Sequence, residues 1–213
     1  MIASLLELIA PSLCPGCDGS RAEGAALLCP ACSRHLVRTQ WLGEVRTALA
    51  FAGTGARLVR RFKFERRRDG LRVLMPLLVE RVVRLRFDAV VPVPRHPARI
   101  REQGSDPAFD LARRLGRSVG VRVAESALAR TRPTQPQTDL TPEERLRNVT
   151  GSFQARPAAL RGRSVLLLDD VVTTGATLRC AAAELRARSG ASRVLPVALA
   201  GTGALPSQRA AAL

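Results

Sequence analysis

The fourteen residues from Val165 to Leu178, Val-Leu-Leu-Leu-Asp-Asp-Val-Val-Thr-Thr-Gly-Ala-Thr-Leu, restrict the fold more than any other stretch. Four consecutive apolar residues behind Gly162 and Arg163 predict a parallel strand, because a sheet covered on both faces needs continuous rather than alternating hydrophobicity. Two carboxylates follow, Asp169 and Asp170. Buried charge is costly unless paired, so these acids are expected at the carboxyl end of the strand, facing a crevice where a ligand or metal meets them. Next come Thr173, Thr174, Gly175, Ala176 and Thr177, leading into a helix-forming run from Leu178 to Arg188. Backbone N–H groups at a helix start, threonine hydroxyls beside them and a glycine that permits close approach make a phosphate cradle. A capped helix start requires one acid or one threonine; two acids and three threonines within nine residues exceed that need. The combination calls for a ligand with both a phosphate and a diol or metal, as in a ribose 5-phosphate.

The flanking segments extend the same architecture. A strand is predicted from Val45 to Phe51, then helices over about 56–66 and 71–86, the second with Leu71, Leu74, Leu77, Leu78, Val82 and Leu85 on one face. Asp88 to Val93 reads as a short buried strand running into a proline-stiffened loop through Pro97. Asp106 and Pro107 open a helix through Leu115 as N-cap and first-turn proline, and a strand is expected near Val119–Val123. Residues 130–150 are polar and proline-broken, with a helical piece that starts at Thr141 in capping-box style. A helix over 177–189 stops at Gly190, and a strand follows from Arg193 to Leu199. Alternating strands and helices predict an α/β fold with a mainly parallel sheet flanked by helices and its ligand at the carboxyl ends of the strands. Ile2, Leu5, Leu6 and Ile9 space as a short amphipathic helix ending before Pro11. The expected organisation is residues 1–44 as an N-terminal helix and cysteine module, 45–203 as the main domain and 204–213 as a flexible tail.

The module rests on Cys14-Pro15-Gly16-Cys17 and Cys29-Pro30-Ala31-Cys32, separated by eleven residues. Two Cys-x-x-Cys knuckles bring four thiolates within tetrahedral reach of one Zn²⁺. A redox reading wants one such pair at a helix start in a thioredoxin-like unit, which two pairs in a loop-rich stretch do not supply. His35 stands close enough to be a ligand, but four cysteines already saturate the metal.

Charge bounds the partners. Thirty-four basic residues against 18 acidic give +16, and Lys63 is the one lysine among them. Such a surface attracts phosphates, nucleic acid or anionic lipid. Aromatics make up only 3% and include no tyrosine, so a base-stacking platform is poorly supplied. The densest positive run, Arg60 to Arg68, is either a solvated helix face or a contact for pyrophosphate or a nucleic-acid backbone. The apolar start contains Glu7 and lacks a basic leader, and no later uncharged apolar run reaches a membrane span. A cytoplasmic protein without membrane insertion is therefore expected.

The stretch at 165–178 resembles the signature loop of type I phosphoribosyltransferases, and the whole chain is similar to the ComF family, a four-cysteine zinc module ahead of a phosphoribosyltransferase-like domain. The resemblance is carried by Cys14, Cys17, Cys29 and Cys32; Arg61-Phe62-Lys63-Phe64; Val91-Pro92-Val93-Pro94; Arg99-Ile100-Arg101; Arg130 to Gln137; Arg145 to Phe153; and Asp169 to Leu178. It implies binding of 5-phosphoribosyl-1-pyrophosphate with Mg²⁺. Asp169 and Asp170 would hold the ribose hydroxyls as the catalytic pair, and Val171, Val172, Thr173, Thr174, Gly175, Ala176 and Thr177 the 5-phosphate. Lys63, Pro94, Arg95, Gln137, Arg145 and Asn148 would serve the pyrophosphate or a closing lid. The family further implies a phosphoribosyltransferase linked to DNA uptake and natural transformation, or a non-catalytic accessory that senses the sugar phosphate or binds single-stranded DNA or DNA-uptake proteins. One segment departs from the family pattern: Gln103-Gly104-Ser105-Asp106-Pro107 stands where arginine, glycine, an aromatic, asparagine and glutamine are usual.

Overall fold

This computed structural model describes residues 13–19, 26–39, 41–65, 67–133 and 141–202; the helix expected at 2–10, Gln137 and the tail from 204 lie outside them. The first half runs α1 (Pro30–Arg34), β1 (Trp41–Leu42), β2 (Val45–Ala50), α2 (Gly53–Phe64), α3 (Leu71–Val82), β3 (Ala89–Pro92), α4 (Pro97–Gln103) and α5 (Pro107–Val119). It continues with β4 (Arg122–Val123), β5 (Leu128–Arg130), α6 (Pro142–Val149), β6 (Phe153–Ala155), β7 (Ser164–Val172), α7 (Ala176–Glu184) and β8 (Arg193–Gly201). One π-helical turn, Leu185–Ser189, extends α7 to Gly190, whose φ of 73° ends it as expected of a left-handed glycine.

Six strands form one sheet in the order β1-β2-β8-β7-β3-β4. Only the β1–β2 pair is antiparallel; β2, β8, β7, β3 and β4 are parallel neighbours. The continuous apolar run is needed because β7 is central and covered on both sides. Leu166 and Leu168 pack into one core with α2, α3 and α5, while Val165 and Leu167 pack into the other with α7, β5 and β6. All four are fully buried, and each such side chain stabilises the fold by roughly 1.5–3 kcal/mol.

Three sequence expectations are corrected, and one feature had none. The strand carrying the acids does not stop at Leu168 but continues through Asp169 and Asp170 to Val172, because β8 goes on pairing with it as far as Val172↔Gly201. Pro97, expected as the end of the loop, instead opens the helix α4: His96 caps it by accepting the Ala98 N–H and proline takes the first turn. The segment from Val119 is not strand throughout; α5 continues to Val119 and the strand is confined to Arg122–Val123. The separate two-stranded sheet of β5 and β6 has no sequence counterpart. By contrast, Asp106 caps α5 through the Phe109 N–H, and Thr141 and Glu144 exchange reciprocal hydrogen bonds at the start of α6 as a capping box.

Candidate functional site

The site begins where one neighbour of β7 ends. On the β3 side the last register pair is Pro92↔Leu168, whereas β8 continues beside β7 for four more residues. Asp169 and Asp170 therefore stand on a strand with one flank released, at the carboxyl end of a parallel sheet where crevices form. Each acid accepts a nearby N–H: Asp169 Oδ1 from Asp170 at 2.8 Å, and Asp170 Oδ1 from Val171 at 2.7 Å.

Asp170 is 5% exposed. Its Oδ2 lies 2.8 Å from Lys63 Nζ and 3.5 Å from an Arg95 guanidinium nitrogen. These cations neutralise the charge of a carboxylate oxygen that is itself closed off from solvent. Asp169 is half-buried. Burial, reinforced by the Asp170 charge, pushes its carboxyl up to about 7 against the opposing pull of Lys63, the Asp170 N–H and Arg130. An acid whose folded value is raised binds its proton longer in the native than in the unfolded state, so its contribution to stability declines as pH climbs from about 4 to about 7. Asp169→Asn, which keeps the Oδ1 acceptor, is therefore expected to raise the melting temperature at pH 8 and to narrow that gain at pH 4. A melting temperature at pH 8 equal to or below that of the parent protein would contradict this assignment.

Beyond Val172, Thr173, Thr174 and Gly175 form the turn into α7. Gly175 is the N-cap with φ 76° and ψ 2°, a left-handed conformation that strains any side chain. A Cβ there would also meet the Arg179 guanidinium at 3.1 Å. Arg179 donates to the Thr174 carbonyl at 2.7 Å, and the Ala176 N–H to Thr174 Oγ1 at 3.4 Å, which together fix the turn. The structure thus brings Lys63 and Arg95 within ion-pair distance of Asp170, with Asp169 next to it in the strand and Thr173 to Thr177 following directly on β7. Pro94 is buried next to Arg95. Arg145 and Asn148 fall on α6.

Three contributors were not legible as site residues. Arg130 ends β5, stacks over Phe153 at 5.3 Å and adds positive charge near Asp169; burial acts to lower its own proton affinity. Asp106 accepts the Arg95 N–H at 3.1 Å and so supports the loop that bears the Arg95 side chain. Gln103 accepts from that same side chain. Only their contacts in the folded chain reveal these roles; the sequence shows an N-cap and ordinary polar residues.

The basic run of α2 is largely engaged within the protein. Arg57 donates to the Gly16 carbonyl at 2.9 Å and approaches Cys32 Sγ at 3.6 Å. Arg61 reaches the Pro15 carbonyl at 2.9 Å and pairs with Asp18; Arg67 also pairs with Asp18. Hydrogen bonds from Arg67 and Arg61 hold the Asp18 carboxyl below the usual range. Helix α2 is thereby fastened to the cysteine knuckles at Arg57 and Arg61 and to the dicarboxylate at Lys63.

Those knuckles converge. The Sγ atoms of Cys14, Cys17, Cys29 and Cys32 lie within 4.8 Å of one another, and Cys17 and Cys29 approach to 3.7 Å. A tetrahedral metal with bonds of about 2.3 Å to sulfur needs sulfurs about 3.8 Å apart, so the four cysteines are positioned to hold one ion. Burial opposes the Cys14 thiolate, but the Cys29 and Gly16 N–H groups and the adjacent thiols bring it down to about 7. At Cys17 the Gly19 N–H favours the thiolate, while the Cys29 and Cys32 sulfurs prevail and push it up to about 11. Four thiolates side by side require a cation between them. Gly16 is closely confined there, since a Cβ would sit 2.8 Å from Cys32 Sγ.

Comparison with known proteins agrees with this geometry. The family profile described as "Phosphoribosyl transferase domain" matches residues 88–206. The chain is 31% identical over 190 residues to the DNA utilization protein YhgH of Escherichia coli O6:H1, covering 86% of this chain and 81% of the relative. It is 30% identical over 130 residues to competence protein F of Haemophilus influenzae, covering 57% of each. Adenine phosphoribosyltransferase of Saccharomyces cerevisiae is a more distant match, with 17% identity, 70% and 69% coverage and a TM-score of 0.34, too low to bear on function. The match to the domain profile, the nearly full-length likeness to YhgH and the converging cysteines place the chain in the ComF family of phosphoribosyltransferase-domain proteins.

Proposed function

We propose that the crevice at the end of β7 binds 5-phosphoribosyl-1-pyrophosphate and that the protein handles this ligand in the use or uptake of DNA. The observation that carries the reading is the pairing of two carboxylates, Asp169 and Asp170, with the Thr173-Thr174-Gly175 turn on a strand whose β3 neighbour has ended. The acids suit the ribose hydroxyls, because carboxylate oxygens accept from O–H groups and Asp169 is only half-buried at the carboxyl end of the sheet. Backbone N–H groups of the turn and the threonine hydroxyls suit the 5-phosphate. Lys63 and Arg95, already drawn to Asp170, would receive the pyrophosphate. Bound Mg²⁺ would offset the charge of that pyrophosphate, with Asp169 and Asp170 as its protein ligands.

Transfer of the phosphoribosyl group would depend on positioning and on charge complementarity toward an electron-poor ribose. Arg95 is held for that task by Asp106 and Gln103. The four cysteines would hold structural Zn²⁺, the ion that four thiolates at this spacing favour. The link to DNA follows the names of the relatives and is supported by the +16 charge; single-stranded DNA and proteins of DNA uptake are the partners it suggests. Among the described residues no helix is long and apolar enough to cross a membrane.

Calorimetric titration with 5-phosphoribosyl-1-pyrophosphate and Mg²⁺ tests the ligand. Saturable binding is expected, weakened at least tenfold in Asp170→Asn, since a hydrogen bond to a charged group contributes roughly 1.5–3 kcal/mol. No binding, or equal binding by the variant, rejects the reading.

A further inference from the structure

Helix α2 joins the cysteine knuckles to the crevice, and its cationic side chains divide by face. Arg57 and Arg61 stand one turn apart on one side; at about 100° per residue, Lys63 is carried roughly 200° beyond Arg61, onto the other. The knuckle side is tied at successive turns. At the start of α2 the Thr54 N–H donates to the carbonyl of His35, the C-cap of α1, at 3.3 Å. One turn on, Arg57 Nε donates to the Gly16 carbonyl at 2.9 Å while its guanidinium reaches Thr54 Oγ1 at 3.1 Å and Cys32 Sγ at 3.6 Å. One turn further, Arg61 donates to the Pro15 carbonyl at 2.9 Å and to the two Asp18 carboxylate oxygens at 3.0 and 2.6 Å.

Leu58, Val59 and Phe62 bury the same helix in the core that holds Cys14, Cys29 and Cys32. Apolar burial keeps α2 against that core without fixing its rotation, because the hydrophobic effect has no direction. The arginine forks supply the direction, since several N–H groups of one rigid plane are answered at once. Four thiolates around a divalent ion retain net negative charge, which favours the guanidinium of Arg57 beside Cys32. On the other face Lys63 Nζ lies 2.8 Å from Asp170 Oδ2. Asp170 cannot follow a displaced helix, because β7 pairs with β8 on either side of it, at Asp169↔Ala198 and Val171↔Ala200. The ion pair in the crevice is therefore set by the placement of α2, and that placement is set from the knuckles.

We infer that Arg57, Arg61 and Asp18 are positioning residues for the crevice: by seating α2 on the cysteine knuckles they hold Lys63 where it meets both Asp170 and an incoming pyrophosphate. The ligand in this statement rests on the crevice reading above; the placement of Lys63 rests on the contacts of α2 alone.

Lys63 is the one lysine of the chain, so carbon-13 lysine labelling gives a single ε-methylene NMR signal that reports its surroundings. The metal-loaded full chain is compared with Arg57→Gln, Arg61→Gln and Asp18→Gly. Glycine suits position 18, where φ is 61° and the side chain is exposed, so this variant carries the test where an arginine variant does not fold. The control is Glu80→Gln, which breaks the exposed pair of Glu80 with Arg38. Each of the three variants should move the Lys63 signal towards that of free lysine and weaken calorimetric binding of pyrophosphate with Mg²⁺ by roughly threefold or more. Glu80→Gln should leave the signal in place and the affinity within about twofold. A lower melting temperature with an unmoved signal is what a purely structural role gives, and it overturns the inference. So does a moved signal with unchanged pyrophosphate affinity, or an equal shift in the control. A parent chain that binds neither pyrophosphate nor 5-phosphoribosyl-1-pyrophosphate rejects the crevice reading, and the Lys63 signal then upholds or overturns the placement by itself.

Discussion

Stripping metal from the four-cysteine site is expected to cost more stability than any single side-chain change. The four cysteines come from two knuckles, one in a turn and one at the start of α1, and Cys14, Cys29 and Cys32 belong to the same core as Leu74, Leu78 and Leu166. Without a cation their sulfurs must be protonated or repel, and a site of this kind does not exist preformed in the unfolded chain, so metal binding is folding energy. A loss of about 5 kcal/mol corresponds to a fall in melting temperature of roughly 10–20 °C for a chain of this size. Cys32→Ser should reproduce it, since Cys32 also anchors Arg57. Affinity should increase with pH, because binding must displace the Cys17 proton, held up to about 11 before a metal arrives. Thermal melts with and without chelator, alongside metal analysis, check this. A melting temperature that moves by less than about 3 °C, or purified protein with under about half an equivalent of zinc, excludes a structural ion.

Lys63→Met is expected to destabilise the fold by about 3 kcal/mol at neutral pH. Asp170 is nearly buried, and removing one partner of a buried ion pair commonly costs 3–5 kcal/mol because the other charge stays desolvated. Arg95 at 3.5 Å remains as a second, more distant cation, which places the cost at the lower end. The double variant Lys63→Met with Asp170→Asn should recover most of the loss, because no charge is then stranded. Urea denaturation of both single variants and the pair measures this. Additive losses would show that Lys63 acts through packing alone.

The strand-turn-helix at 164–184 was legible because three local signals coincide there: an apolar run, two acids and a glycine turn. The cysteine knuckles were equally open to reading, since ligand spacing is local. What escaped depended on partners far along the chain. The acids seemed to stand after the strand because nothing in β7 announces that β3 stops at Pro92 while β8 continues. Leu128–Arg130 and Phe153–Ala155 are three-residue strands that pair across 22 residues, too short for either periodicity to register. Pro97 was read as part of a loop, although proline with His96 before it also begins a helix. The run Arg60 to Arg68 looked like a single positive patch because charge spacing cannot show that Arg57, Arg61 and Arg67 face the knuckles and Asp18 while Lys63 faces Asp170.

The ends of the sheet bear on how the protein can meet other molecules. Both outer strands, β1 and β4, are two residues long, and β1 is shielded on its exposed face by Arg46 stacked 4.0 Å from the Trp41 ring. Short outer strands offer little backbone for strand addition or edge-to-edge aggregation. Among the described residues the six-stranded sheet is therefore a poor template for capturing an extended peptide. Recognition falls to helix faces, loop tips and arginine side chains, which can be altered one residue at a time without disturbing the strand register that holds the two carboxylates in place.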